Sequence, residues 1–217
     1  MPDLTTTRLV LRPLSSDDAE MLFPIFGDPI AMHYWDFPVR RTVEQTAEML
    51  RSHFASGPYQ GTWCLTFKGE RFPVGMVQYH RREPCHRRAA IRYILARRHW
   101  RQGLMSEAVP ALLCYCFETL VLHRVEAAIE PDNINALQLL ERLSFRKEGL
   151  LRGRDFVEPS YRDVFIYALL DSEWRTSAEP IAELAATTNV VKFSATRRPS
   201  CASKGYAWPG APALPDA

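Results

Sequence analysis

The 217-residue chain is 47% hydrophobic and 24% charged, the balance of a folded water-soluble domain and not of a disordered segment. Its formal net charge of +2 is too small to argue for nucleic acid by itself, and no apolar run reaches the roughly 20 residues needed to cross a bilayer. Five scattered cysteines with no C-x-x-C pair argue against a disulfide framework or a zinc site. The opening Met1-Pro2-Asp3-Leu4 lacks a signal-peptide pattern, so the expected compartment is the cytoplasm.

Taken in chain order, Thr7 to Arg12 alternates polar and apolar side chains and predicts a half-buried strand. Ser15 to Asp18 offers capping side chains and first-turn acids to a helix whose apolar stripe includes Ala19, Leu22, Phe23 and Phe26. A second helix is predicted from Thr42 to Phe54, with Val43, Ala47, Leu50 and Phe54 on one face. Gly27 to Arg41, between the two, reads as a loop. Strands follow at Thr62 to Phe67, Val74 to Tyr79 and Ala89 to Ala96, with turns at Lys68-Gly69-Glu70 and around Pro84.

From Gln102 to Leu120 the period becomes helical, Leu104, Ala108, Leu112, Cys116 and Leu120 recurring every four residues. Cys114 and Cys116 point to different faces of that helix and cannot act as a pair. Arg124 to Ile129 returns to strand, Asn135 to Leu143 forms a short helix, and strands near Lys147–Leu151 and Val164–Leu170 close the domain. The order β-α-α-β-β-β-α-β-α-β-β predicts an α+β fold, a mixed sheet with helices on both faces. Beyond Trp174 the composition shifts to Ala, Ser, Thr and Pro. Residues 176–217 therefore predict a flexible tail, with Val190-Val191-Lys192-Phe193 as an apolar patch able to dock.

The junction between the Ile91–Ala96 strand and the next helix carries most of the chemical information. Gly103 sits where unpaired N–H groups and the positive end of a helix dipole meet, and a glycine lets an anion approach closely. Arg97, Arg98 and Arg101 flank it, at the end of an arginine-rich stretch that starts at Arg81. The chain has no G-x-x-x-x-G-K-[ST] and no G-x-G-x-x-G, which argues against a P-loop and a dinucleotide fold. The arginines are either a solvated face or, near the glycine, partners for an anionic ligand.

The stretch Tyr93 to Ala108, centred on Trp100-Arg101-Gln102-Gly103-Leu104-Met105-Ser106-Glu107-Ala108, resembles the acetyl-CoA-binding core of the GNAT acetyltransferase superfamily, RimJ/RimL branch. Pro131 to Ala136 with Leu140 to Phe145 resembles that branch's second motif, Tyr161 to Val164 with Tyr167-Ala168-Leu169 and Trp174 its ending, and Arg8 to Arg12 its opening. The resemblance covers residues 5–175 in order and implies a mostly antiparallel twisted sheet of roughly six to seven strands. It also implies acetyl-CoA as co-substrate, without a metal. Backbone amides of Arg101, Gln102, Gly103, Leu104, Met105 and Ser106 would hold the pyrophosphate. Ile94, Leu95 and Ala96 would pair with the pantetheine arm. Asn133, with Asn135 as second candidate, would hydrogen-bond the cofactor, although Asn133 also reads as a helix cap.

Acetyl transfer by direct attack needs a proton acceptor for the amine, a polarised carbonyl and a proton for the thiolate. Many relatives carry a glutamate where this chain has Ala90 and a serine where it has Ala136; Met105 stands at a position that is usually small, and Ser144 at a common glycine. Glu130 becomes the candidate base, sharing strand parity with Glu126 and Ala128, or else a solvated glutamate. Tyr161 or Tyr167 is the candidate thiolate acid. Tyr34, Trp35 and Phe37 either contact the acceptor or cap the core. His33, His80, His86, His99 and His123 form no metal-ligand spacing.

Two functions follow as expectations. One is an N-acetyltransferase acting on a primary amine, either a protein N-terminus or a small molecule. The other, motivated by Ala90 and Ala136, is a weak or inactive acyl-CoA-binding sensor of the same fold. The expected partner is the amine-bearing acceptor, with no membrane, nucleic acid disfavoured, and the chain a monomer or homodimer.

Overall fold

Local sequence sets the helix starts. Ser15 caps the turn Ser16–Asp18: its hydroxyl accepts from the Asp17 N–H while the Asp18 carboxylate accepts from the Ser15 N–H at 2.8 Å. Asp18 also takes two hydrogen bonds from Arg12, at 2.8 and 2.5 Å. Burial pushes the Asp18 carboxyl up, but Arg12, the Ser15 amide and Cys64 outweigh it and hold the group below its ordinary range. Helix α1 (Ala19–Phe26) follows. Thr42 caps α2 (Val43–Met49) by accepting from Gln45 N–H at 3.2 Å, and the helix runs on through a wider turn at Leu50–Phe54.

These helices cover one face of an eight-stranded sheet in the order β1-β2-β3-β4-β5-β6-β8-β7. The strands are β1 (Leu4–Thr5), β2 (Leu9–Pro13), β3 (Gly61–Phe67), β4 (Pro73–Glu83), β5 (Arg88–Leu95), β6 (Arg124–Ile129), β7 (Arg146–Val157) and β8 (Ser160–Leu170). Every neighbouring pair is antiparallel except β5 and β6. On the other face lie α3 (Leu104–Cys114, prolonged through Tyr115–Thr119), α4 (Ile134–Arg142) and α5 (Asp171–Thr176). The protein, a computed structural model, is described for residues 1–176. The expected tail 176–217 therefore lies outside the described residues except for Thr176, as do Val190–Phe193 and Cys201.

The sheet divides the interior into two apolar layers. Ile91 and Leu95 of β5 pack with Leu104, Leu112 and Phe117; Ile94 and Ala96 pack with Leu22, Phe26 and Phe54. A strand covered on both sides needs apolar residues at both parities, which is why β5 reads as nearly continuous hydrophobicity. Among the described residues no helix is long and apolar enough to cross a membrane. Cys64, Cys85, Cys114 and Cys116 are all free.

Among the described residues the strand count is corrected from six or seven to eight. The extra element is β1, two residues pairing Leu4 with Leu11, too short to show a period. The last two strands are also longer than expected, meeting in a hairpin beyond Val157. Arg152, Gly153, Arg154 and Asp155 break the alternation there because that end of the hairpin has little core to face. Ser144, in the place of a common glycine, has φ +64 and terminates α4: Phe145 N–H donates to Leu140 C=O and Ser144 N–H to Glu141 C=O, both at 3.0 Å.

Candidate active site

Strands β5 and β6 pair only from Arg88 to Ala90 against Arg124 to Glu126, then part. Past Ala90 the β5 edge that faces β6 is an unpaired ladder. Ala96 N–H donates to Val74 C=O at 2.8 Å on the β4 side. With the antiparallel register of Ile94 to Met76 and Arg92 to Gln78, the even-numbered residues spend their backbone groups on β4. The N–H and C=O groups of Ile91, Tyr93 and Leu95 therefore face the opening. This revises the expected pairing surface of Ile94, Leu95 and Ala96: parity leaves only Leu95 of the three, and its carbonyl already accepts from the Trp100 indole N–H at 2.8 Å. Gly75 permits the tight approach of β4 on this stretch, since a Cβ there would lie 2.4 Å from the Ile94 carbonyl oxygen.

The opening leads to the start of α3. Arg101 (φ +62) and Gly103 (φ +73) both lie in the left-handed region, and Gly103 caps the helix. Alternating handedness turns successive N–H groups toward one side, the geometry of an anion-binding nest. The turn is braced by the segment between β1 and β2 through a contact the sequence did not announce. Glu107, 7% exposed, accepts from the Thr6 hydroxyl, from Arg8 N–H at 2.6 Å and from Arg8 Nε at 2.7 Å. Arg8 Nη1 in turn donates to the Gln102 carbonyl at 2.9 Å. Burial raises the Glu107 carboxyl, but these partners overcome it and the group sits below its ordinary range.

A cavity of about 790 Å³ joins the turn to the opening. It brings together most of the expected residues: Leu95, Arg101, Gly103, Met105, Ser106 and Asn133, with Ile94, Leu104 and Asn135 also in its wall. Gln102 and Ala96 are not in the wall. Gln102 contributes its carbonyl to the brace and its side-chain amide donates to Arg98 C=O at 3.1 Å. Asn133 is indeed a helix cap, its side-chain oxygen accepting from Ala136 N–H at 3.3 Å, which leaves its amide nitrogen uncommitted. Of the three flanking arginines only Arg101 lines the cavity. Arg97 is held by Asp28 at 3.2 Å, and Arg142, on α4, faces in from the other wall.

At the opposite end Glu130, Ala90, Ala128, Tyr34 and Trp35 line the wall. Both Glu130 oxygens lie 3.0 Å from Arg162 Nη1, which also donates to the His33 carbonyl at 2.9 Å. Tyr34 donates its hydroxyl to the Asp132 carbonyl at 2.9 Å. These two contacts latch the Gly27–Arg41 loop over the Pro131 segment, so the loop is a wall of the cavity. Trp35 is a buried member of the core behind it, and Phe37 packs on Trp35, His53 and Phe54, outside the cavity wall. Tyr34 and Trp35 thus both line the cavity, Trp35 belonging to the core as well, and Phe37 belongs to the core side alone.

Neither expected thiolate acid reaches the cavity. Tyr161 is 70% exposed and rests on Phe156 at the tip of the hairpin, because that tip extends past the core. Tyr167 is buried elsewhere, its hydroxyl donating to Glu141 at 3.1 Å. Two residues the sequence reading passed over, Tyr93 and His80, do line it. The Tyr93 hydroxyl is buried with no hydrogen-bond partner among the described residues, and burial pushes its pKa up. His80, the register partner of Ala90, is pulled down to about 3 by burial and by Arg92, Arg81 and Arg154, so its imidazole is neutral at physiological pH. No spacing signal marks either residue; only the β4–β5 register brings His80 beside Ala90.

The sequence profile described as Acetyltransferase (GNAT) domain matches residues 8–146. The chain is 33% identical over 176 residues to p20 of Bacillus licheniformis, named as an uncharacterized N-acetyltransferase, covering 80% of this chain and 99% of that one. It is 30% identical over 173 residues to YoaA of Bacillus subtilis, of the same naming, covering 78% and 97%. Among solved structures, the spermidine N-acetyltransferase of Vibrio cholerae in complex with CoA and spermine superposes with a TM-score of 0.69 at 23% identity. That match covers 77% of this chain and 98% of the other, and is a likeness of fold. This chain belongs to the GNAT family of acetyl-CoA-dependent N-acetyltransferases.

Proposed function

We propose that the cavity transfers the acetyl group of acetyl-CoA to a primary amine by direct attack on the thioester, and that the chain belongs to the RimJ/RimL-like part of its family, as its motifs resemble. The observation that carries this reading is the unpaired β5 edge running into the left-handed turn at the head of α3. One surface offers N–H donors to an amide-bearing arm and a cradle to a pyrophosphate. Asn133, Arg142 and Arg101 line the same cavity, where the first two would stand beside the arm and Arg101 beside the phosphates.

When acetyl-CoA is bound, a thioester carbonyl near Ile91 and Tyr93 would meet their gap-facing N–H groups, donors aimed where negative charge develops. The incoming amine forms the new C–N bond as the C–S bond breaks. The amine loses one proton and the thiolate gains one, so the balance needs no further reactant. Glu130 is the proton acceptor within the cavity, reaching the amine directly or through one water. The Tyr93 hydroxyl donates a hydrogen bond to the departing sulfur, which would give that buried group the acceptor it lacks. Neutral His80 orients the amine.

A second reading, an acyl-CoA-binding sensor, is favoured by one observation: Glu130 is already engaged by Arg162, while Ala90 and Ala136 supply no proton-transfer group. Incubation with acetyl-CoA and a panel of amines, peptide N-termini and polyamines separates the two. Saturable thiol release above the spontaneous rate is expected; CoA binding by calorimetry with no turnover across the panel would leave the sensor.

A further inference from the structure

We propose that the acceptor carries a carboxylate close to its reactive amine, and that Arg81, Arg92 and Arg154 receive it at the end of the cavity remote from the cofactor turn. This rests on the acetyl-transfer reading of the same cavity and names its substrate class. The three guanidiniums come from three different strands, β4, β5 and β7, and all line the one wall.

Their charges are not consumed within the protein. Arg92 approaches Asp36 only to 3.9 Å and Arg154 approaches Asp155 only to 3.8 Å, both beyond hydrogen-bond distance. Arg81 has no carboxylate partner among the described residues. Glu130, the remaining acid at this end, is held by Arg162. The Asp36 and Asp155 side chains are, moreover, 53% and 37% exposed, so solvent screens what they contribute.

Arg92 is built into place. Its Nε donates to Gln78 Oε1 at 2.5 Å, and its guanidinium lies 4.4 Å from the Phe54 ring centre, 5.3 Å from Phe37 and 5.5 Å from Trp35. Stacked on aromatic faces and only 20% exposed, it is a fixed and poorly hydrated cation. Such a group is costly to bury without an anion and rewards one that arrives. Arg81 is aimed by the irregularity in the β4–β5 pairing between His80 and Glu83, where it takes φ +51. The neutral His80 adds no negative charge among the three. A polyamine, with several cationic centres, would meet repulsion here; an amino acid, or a peptide whose N-terminal residue is acidic, would be drawn in.

Calorimetry on the CoA-loaded protein tests this with acetylated products, which need no turnover: N-acetylalanine and N-acetyl-Asp-Ala against N-acetylalaninamide. The acids are expected to bind at least roughly 10-fold more tightly than the amide, in line with one charge-assisted contact. Arg154→Gln and Arg81→Gln should each remove most of that preference. Thiol-release assays should rank alanine or Asp-Ala above alaninamide and spermidine in kcat/KM, the better of the two distinguishing a free amino acid from an acidic peptide. Equal binding of acid and amide, no binding of the acids, or a preference for spermidine overturns the proposal while leaving acetyl transfer intact. Failure of CoA itself to bind, read in the first titration, removes both.

Discussion

Glu107→Gln should unsettle the cofactor turn although the residue faces away from the cavity. The glutamine oxygen can still accept from the Thr6 hydroxyl and the Arg8 N–H, but its amide nitrogen then confronts Arg8 Nε, donor against donor, where a 2.7 Å ion pair stood. Losing one charge-assisted bond and leaving a partly buried donor unpaired costs about 2–4 kcal/mol, a figure already reduced because Arg8 is 45% exposed. For a domain of this size that corresponds to a fall in Tm of roughly 5–12 °C. With Arg8 released, its bond to the Gln102 carbonyl slackens and CoA affinity should drop on the order of 5-fold.

The acid limb supplies an independent reading of the same contact. The Glu107 carboxyl titrates lower in the folded protein than its ordinary 4.5, so its stabilisation is fully present above that pH and is lost as pH falls through the folded value. Denaturant unfolding from pH 6 down to pH 3 should therefore steepen less for Glu107→Gln than for the parent. Unfolding within about 1 kcal/mol of the parent, with an unchanged acid limb, would refute the brace.

Three other substitutions follow. Ser144→Gly should stabilise the protein by about 1 kcal/mol, because glycine occupies φ +64 without strain; a loss of stability in thermal unfolding would contradict the reading of this turn. Tyr93→Phe should leave Tm unchanged or raised, since it removes a buried unpaired hydroxyl, while lowering kcat roughly 10-fold; unchanged kcat would deny the hydroxyl its role at the sulfur. Tyr34→Phe should cost less than about 1 kcal/mol in stability but raise acceptor KM several-fold by loosening the loop from Asp132, and an unchanged KM would show that the loop is not latched this way.

Much of the fold could be read from side-chain periodicity because its elements are covered by a core. The strand Arg124–Ile129 and the helix ending at Phe54 come out as expected, since each pairs an apolar face with a polar one. What escaped was set by distant partners. The Glu107–Arg8 brace joins residues 99 apart, and nothing local to either distinguishes a brace from a surface ion pair. The revision of Ile94, Leu95 and Ala96 turned on ladder parity, which a sequence leaves undetermined until one hydrogen bond, here Ala96 to Val74, fixes it. Motif order alone marks Tyr161, and the hairpin's length carries it away from the cavity. The turn itself is legible through its resemblance to the acetyl-CoA-binding core, since a single glycine between a strand and a helix is common and marks an anion cradle only weakly.

Hydrogen exchange of the backbone with and without CoA tests the cradle most directly. New protection is expected at Ile91, Tyr93 and Leu95 on the open β5 edge and at Arg101 to Ser106 in the turn, with the even-numbered amides of β5 unchanged because β4 already holds them. Protection confined to other segments, or none at saturating CoA, would contradict it.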